Sequence, residues 1–204
     1  IRPIPNLDKG SSQGILNSAI SPDETKVVYS LYDGNDKSYE LQMIGLDGSG
    51  RRSLYRDKKL TGISSLEWSK DGKQILAIFQ TGDAYQLTAV AAADGSAQIL
   101  KHFGNLKPDY VCYSPDGKKI AYDLAKAETS NDYDIFIMNA DGSGEIPLVR
   151  HPAKDKLLGW TPRGDLILFS SDRSGSVDAY GIHVVEGQAP GDPLLIKKEI
   201  GNIK

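Results

Sequence analysis

A short turn signature that returns at nearly constant intervals constrains this chain more than any other feature. Ser114-Pro115-Asp116-Gly117 is its fullest form. Ser21-Pro22-Asp23-Glu24, Ser69-Lys70-Asp71-Gly72 and Thr161-Pro162-Arg163-Gly164 are variants, and the four begin 48, 45 and 47 residues apart. The residues have the chemistry of a type I β-turn: a hydroxyl first, Pro with its preset φ second, and often Gly fourth. A turn repeated at this period marks a repeated supersecondary unit, with propeller blades the first candidate.

Aligning the chain on the turn exposes the rest of the unit. Ile20, Trp68, Tyr113 and Trp160 stand just before it and end a first strand. Val27, Ile75, Ile120 and Ile167 follow, and two residues further on come Tyr29, Ala77, Tyr122 and Phe169. A spacing of two places both sets on one face of a second strand. A third strand carries Met43, Val90, Ile137 and Ile182 and ends in Asp47-Gly48, Asp94-Gly95, Asp141-Gly142 or the degraded Glu186-Gly187. Asp-Gly between strand patterns is a strong hairpin signal. Short fourth strands are expected at Arg52 to Arg56, Gln98 to His102, Ile146 to Arg150 and Leu194 to Lys198. Pro147 and Pro193 suit them, because an edge strand tolerates proline. No segment sustains a helical period; Asp123 to Thr129 has room for one turn or two.

The reading is all-β, with four-stranded antiparallel blades over 15–57, 62–103, 109–151 and 155–199. Residues 1–7, interrupted by Pro3 and Pro5, read as the outer strand of a preceding blade, and 200–204 as the start of a further one. A single four-stranded unit cannot bury both of its apolar faces, whereas copies packed face to face around an axis can. The four repeats read as part of a larger ring, with a four-bladed ring closed on itself as the second reading; an open set of four would expose apolar end faces. Further blades or self-association would cover these.

Ser114-Pro115-Asp116-Gly117-Lys118-Lys119-Ile120-Ala121-Tyr122, followed by Asp134-Ile135-Phe136-Ile137-Met138-Asn139-Ala140-Asp141-Gly142-Ser143-Gly144, resembles the TolB-like β-propeller repeat, a WD-like repeat built on Ser-Pro-Asp-Gly. The resemblance covers nearly the whole chain. It is closest in the third repeat and loosest in the fourth, where Arg163 replaces the turn Asp. It implies a propeller, commonly six-bladed, which is the size expected of the larger ring, and a periplasmic or extracytoplasmic setting, although a cytoplasmic one is also compatible with the sequence. The repeat residues of that family are structural, so the resemblance transfers a fold and no catalytic group.

Composition removes several function classes. Net charge is −3 with both signs interspersed, so no basic field points to nucleic acid. No apolar run approaches the roughly 20 residues that insert across a bilayer. The single cysteine, Cys112, excludes an internal disulfide, and its apolar neighbours predict a buried thiol. Ile1-Arg2-Pro3 lacks a start Met and a signal-peptide core, which fits a mature product or an excised piece.

No catalytic, cofactor or metal set emerges. Gly10-Ser11-Ser12-Gln13-Gly14 matches the nucleophile-elbow pattern but lacks the strand-to-helix turn that chemistry needs, so Ser12 reads as a loop residue. His102, His151 and His183 have no metal-ligand spacing. Asp33-Gly34-Asn35-Asp36 puts Lys37 where a calcium loop needs a ligand. Asn131-Asp132-Tyr133-Asp134 reads as a loop capping a strand. The repeated aromatics read as core.

Connectivity puts the tight motif turns at one end of each blade and the longer, more varied connections at the other. Binding residues concentrate on variable loops held by a rigid scaffold. The candidates are therefore Tyr32, Asp33, Asn35 and Asp36; Thr81 and Asp83; Asn131, Asp132 and His151; and Asp172 and Arg173. The expected function is a non-enzymatic module that binds a protein or peptide through its loop-rich face or central opening. The alternatives are a substrate-gating propeller of a larger peptidase or sensor protein, and a small-molecule or glycan binder.

Overall fold

The computed structural model describes residues 13–185 and 191–201. Over these it has sixteen strands and no helix, in four four-stranded antiparallel sheets whose strands are neighbours in chain order. The first sheet is β1 (Gln13–Ile20), β2 (Lys26–Asp33), β3 (Ser38–Gly45) and β4 (Arg52–Arg56). The second is β5 (Gly62–Trp68), β6 (Gln74–Thr81), β7 (Ala84–Ala91) and β8 (Ala97–Gly104). The third is β9 (Pro108–Tyr113), β10 (Lys119–Ala125), β11 (Tyr133–Asn139) and β12 (Ile146–Val149). The fourth is β13 (Lys156–Trp160), β14 (Leu166–Ser171), β15 (Asp178–His183) and β16 (Leu194–Lys197). The strands fall into two compact units, residues 1–105 with the first two sheets and 106–204 with the last two.

The motif turns behave as their chemistry requires. In the third copy the Gly117 amide donates to the Ser114 carbonyl at 2.8 Å, the Ser114 hydroxyl donates to Asp116 at 2.6 Å, and the Lys119 amide donates back to that hydroxyl at 2.9 Å. Gly72, Gly117 and Gly164 take φ of 68°, 74° and 74° at the fourth position, where a Cβ is strained. Glu24 holds the same left-handed conformation at φ 56° without that freedom. The fourth copy replaces the turn Asp by Arg163 and recovers the bond two residues later, with Thr161 Oγ1 donating to Asp165 at 2.7 Å. Ile20, Trp68, Tyr113 and Trp160 each pair with the first aligned residue of the next strand, as the repeat alignment requires.

Each unit buries a core between its two sheets. In the first, Val28, Leu41, Met43 and Leu54 pack with Ile63, Trp68, Ile75, Phe79 and Val90. In the second, Cys112, Ala121, Ile135 and Ile137 pack with Leu157, Ile167, Phe169 and Ile182. The four aligned third-strand residues are all buried, and so is the Cys112 thiol. Trp68 reaches across its unit and donates its indole N–H to the Ala19 carbonyl at 3.0 Å. Trp160, expected in the core with the other aligned aromatics, is only half-buried.

Several boundaries differ from those expected. Asp123 to Ala125 complete β10 in register with Tyr133 to Ile135, so the proposed helical stretch reduces to one turn closed by the Ser130 amide on the Ala127 carbonyl. Strand pairing wins because β11 supplies a full ladder there. Gln13 and Gly14 belong to β1 rather than to a loop, Gly104 to β8 and Pro108 to β9, and the loop candidates Tyr32, Asp33 and Thr81 belong to the ends of β2 and β6. First strands also carry bulges, between Ile15 and Asn17, Ser64 and Glu67, and Leu157 and Gly159. The strand assigned to residues 1–7, Ser12, the Glu186-Gly187 turn and residues 202–204 lie outside the described residues.

Candidate functional site

The connections between second and third strands, and from each sheet to the next, were expected to share one end of each blade. Within each unit, hydrogen bonds link them. In the first unit, Asp33 Oδ1 accepts the Asn35 amide at 2.9 Å, while Oδ2 accepts Gln13 Nε2 at 2.7 Å. These bonds, Gln13 foremost, hold the Asp33 carboxyl below its usual range. Asp36 caps Ser38 through Oδ1 at 3.0 Å and meets Arg56 at 2.6 Å. The Asp33 to Asp36 carboxylates are thus occupied as hairpin caps, which suits the failed calcium template. Tyr32 stacks at a tilt on its cross-strand neighbour Tyr39, with ring centroids 4.9 Å apart. Thr81 closes β6, Asp83 projects from the two-residue turn beside Gly82, and Thr61 Oγ1 donates to the Gly82 carbonyl at 3.2 Å.

The second unit stitches three connections together. Lys126 Nζ donates to the His151 carbonyl at 2.7 Å and pairs with Asp134 at 3.4 Å. His151 therefore contributes its backbone, and its Nδ1 is buried with no hydrogen-bond partner. The Lys154 amide donates to Asp172 Oδ1 at 3.0 Å, and Asp132 donates its amide to Ser130 Oγ at 3.0 Å. Asn131 is exposed. Arg173 sits deeper than a ligand-facing residue: its side chain is 15% exposed and pairs at 2.9 Å with the fully buried Asp155. It also donates to Ser171 and lies over the Phe169 and Tyr180 rings at 5.2 and 4.9 Å. The structure thus brings together Lys126 with His151, Lys154 with Asp172, and Arg173 with Asp155.

Sequence reasoning missed Asp123. It is buried in the middle of β10 and accepts the Asp109 and Tyr110 amides on Oδ1, at 3.1 and 2.9 Å, and the Leu157 amide on Oδ2 at 3.1 Å. One carboxylate therefore ties two sheets of the second unit. Burial pushes its pKa up to about 6, against the pull of those amides and of Lys156. Lys156 pairs with Asp109 and lies over the Tyr133 ring, 3.0 Å from its centroid. The signal was available: Ser30, Ile78 and Ser170 occupy the aligned positions, so an Asp there is an anomaly of the repeat.

Among the described residues, no group of three or more His, Cys, Asp or Glu could hold a metal ion. No described helix is long and apolar enough to cross a membrane. Within each unit, what these connections offer chemically is hydrogen bonding from braced polar loops.

The profile of the TolB beta propeller domain matches residues 18–191. The Tol-Pal system protein TolB of Anaeromyxobacter dehalogenans is 31% identical over 127 residues, 60% of this chain and 27% of that protein. The chain spans between 27% and 40% of the length of such TolB relatives. Among solved structures, a putative TolB from Agrobacterium tumefaciens aligns with TM-score 0.66 and 20% identity, covering 91% of this chain and 68% of that one. Prolyl oligopeptidase B from Galerina marginata aligns with TM-score 0.69 and 17% identity, covering 92% and 28%. At these identities the structural likenesses show the fold alone.

Proposed function

The chain belongs to the TolB β-propeller family, and we propose on that premise that it is a non-catalytic module binding a protein or peptide through its loop-rich blade ends. The observation that carries this reading is the bracing of those ends. Lys126 with the His151 carbonyl, Lys154 with Asp172, and Arg56 with Asp36 fix connections that would otherwise lose entropy on binding. Exposed Asp83 and Asn131 stand on connections braced by the Thr61–Gly82 and Lys126–His151 hydrogen bonds and present polar groups to solvent. The relatives named for the Tol-Pal system favour a protein partner in the cell envelope, with further blades completing the ring.

The test is calorimetric titration of the Pal component of the Tol-Pal system into the full chain and into the Asp83→Ala and Asn131→Ala variants. We expect saturable binding that weakens at least about tenfold in one variant, the loss expected for a polar anchor. Absence of binding, or wild-type affinity in both variants, refutes the reading. The alternative, a gating propeller of a larger peptidase, has fold likeness on its side. A catalytic role in this chain would appear as stoichiometric labelling by a serine-reactive phosphonate, for instance at Ser12. We expect none.

A further inference from the structure

At the motif-turn end of the second unit, opposite the braced connections, a cleft of about 370 Å³ opens between the turns of the third and fourth sheets. That volume falls in the range of small-ligand sites. Ile137, Ile146, Trp160, Val184 and Val185 supply its apolar surface. Lys118, Lys119 and Arg163 supply three cations, against Asp116 as the one carboxylate of the lining. Asp116 is already engaged by the Ser114 hydroxyl and the Lys118 amide, at 2.6 and 3.0 Å. Lys118 also pairs with Asp116 at 4.0 Å and Arg163 with Asp165 at 3.3 Å, which leaves Lys119, among the described residues, as the cation of the lining without a carboxylate partner.

Two details distinguish this cleft from the equivalent place in the first unit. Trp68 there is 7% exposed and its indole N–H is bound to the Ala19 carbonyl. Trp160 makes no such bond; its indole N–H is buried without a partner, and its ring, only partly buried against the core, forms a wall of the cleft. Lys119 is the second. Its ammonium donates to the Asn139 amide oxygen at 2.8 Å, and among the described residues no carboxylate pairs with it. An amide oxygen orients the ammonium but leaves its charge uncompensated, so an anion arriving there gains a charge-assisted hydrogen bond.

We propose that this cleft binds an apolar carboxylate, an aromatic or branched group seated against Ile137, Ile146 and Trp160 with its carboxylate at Lys119. Such a group is offered either by a small organic acid or by the free C-terminal residue of a peptide. The proposal is independent of the loop-rich end.

The experiment follows the two indole N–H resonances of the full chain during titration with N-acetyl-phenylalanine, its carboxamide, and a peptide ending in a free phenylalanine carboxylate. The acid should move the Trp160 resonance saturably and leave Trp68 in place. The carboxamide should bind at least about tenfold more weakly, as should the acid to Lys119→Gln, while Lys119→Arg retains binding. A peptide that binds more tightly than the acid assigns the site to protein termini; equal affinities assign it to small acids. No shift at Trp160, or equal binding of acid and carboxamide, overturns the proposal. So does unchanged binding in a Lys119→Gln chain that keeps wild-type spectral dispersion. Should that variant lose dispersion, the acid–carboxamide comparison decides alone.

Discussion

Gly95 is the position where one added methyl group tests the packing of the first unit most directly. It is the Gly of the second Asp-Gly turn and holds φ +77°. A Cβ there would land on the Leu54 carbonyl oxygen, 2.9 Å from the carbonyl carbon, and that backbone belongs to β4 of the neighbouring sheet. Gly72 supplies the control. Its φ is +68°, but the nearest atom to an added Cβ is Pro22 Cδ at 3.9 Å, an ordinary contact. Gly72→Ala should therefore cost only the left-handed backbone term, about 1 kcal/mol. Gly95→Ala adds the displacement of a paired strand, about 2 kcal/mol by analogy with overpacking, for a total near 3 kcal/mol. Urea unfolding at neutral pH reads the difference: with a slope of about 2 kcal/mol/M, the two midpoints should differ by roughly 1 M. Equal midpoints for the two variants would refute the close approach of the Asp94-Gly95 turn to Leu54.

Three further outcomes follow from particular contacts. Glu24→Gly relieves a left-handed residue in an exposed turn and should stabilise by about 0.5 kcal/mol after the entropy cost of glycine; a lowered thermal midpoint would contradict this. Asp123 titrates in the folded chain at about 6, above its ordinary 3.8, so the folded state holds a proton that the unfolded state releases. Its contribution to stability is thus fully present below about pH 4 and is lost as pH rises through 6, on the order of 3 kcal/mol in all. Wild type should accordingly gain stability relative to Asp123→Asn as pH falls from 7 to 4, and parallel pH profiles would refute this. Arg173→Met strands the fully buried Asp155 carboxylate and should cost about 3 kcal/mol. A variant as stable as wild type would show that Asp155 is solvated on opening.

The blades were legible because everything that defines them is local. Turn chemistry, a spacing of two and an Asp-Gly signal act between residues a few positions apart. The strand ends at Ile20, Trp68, Tyr113 and Trp160 therefore emerge from the repeat alone. The substitution at Arg163 was visible, but its repair by Asp165 became apparent only with the turn geometry. The candidate rim was legible as loops, not as side-chain roles. Arg173 reads as a polar loop residue until Asp155 is found buried against it, and His151 proves to offer its carbonyl to Lys126. Asp123 meeting Leu157, Gly95 meeting Leu54 and Trp68 meeting Ala19 join different sheets. Sequence by itself determined the repeated four-stranded unit, since backbone hydrogen bonding and turn sterics are satisfied within each copy. Tertiary structure alone decided which polar groups became inter-sheet ties and where a cleft stayed open. Those outcomes depend on how two sheets stack, and stacking sets distances between residues that no local pattern relates.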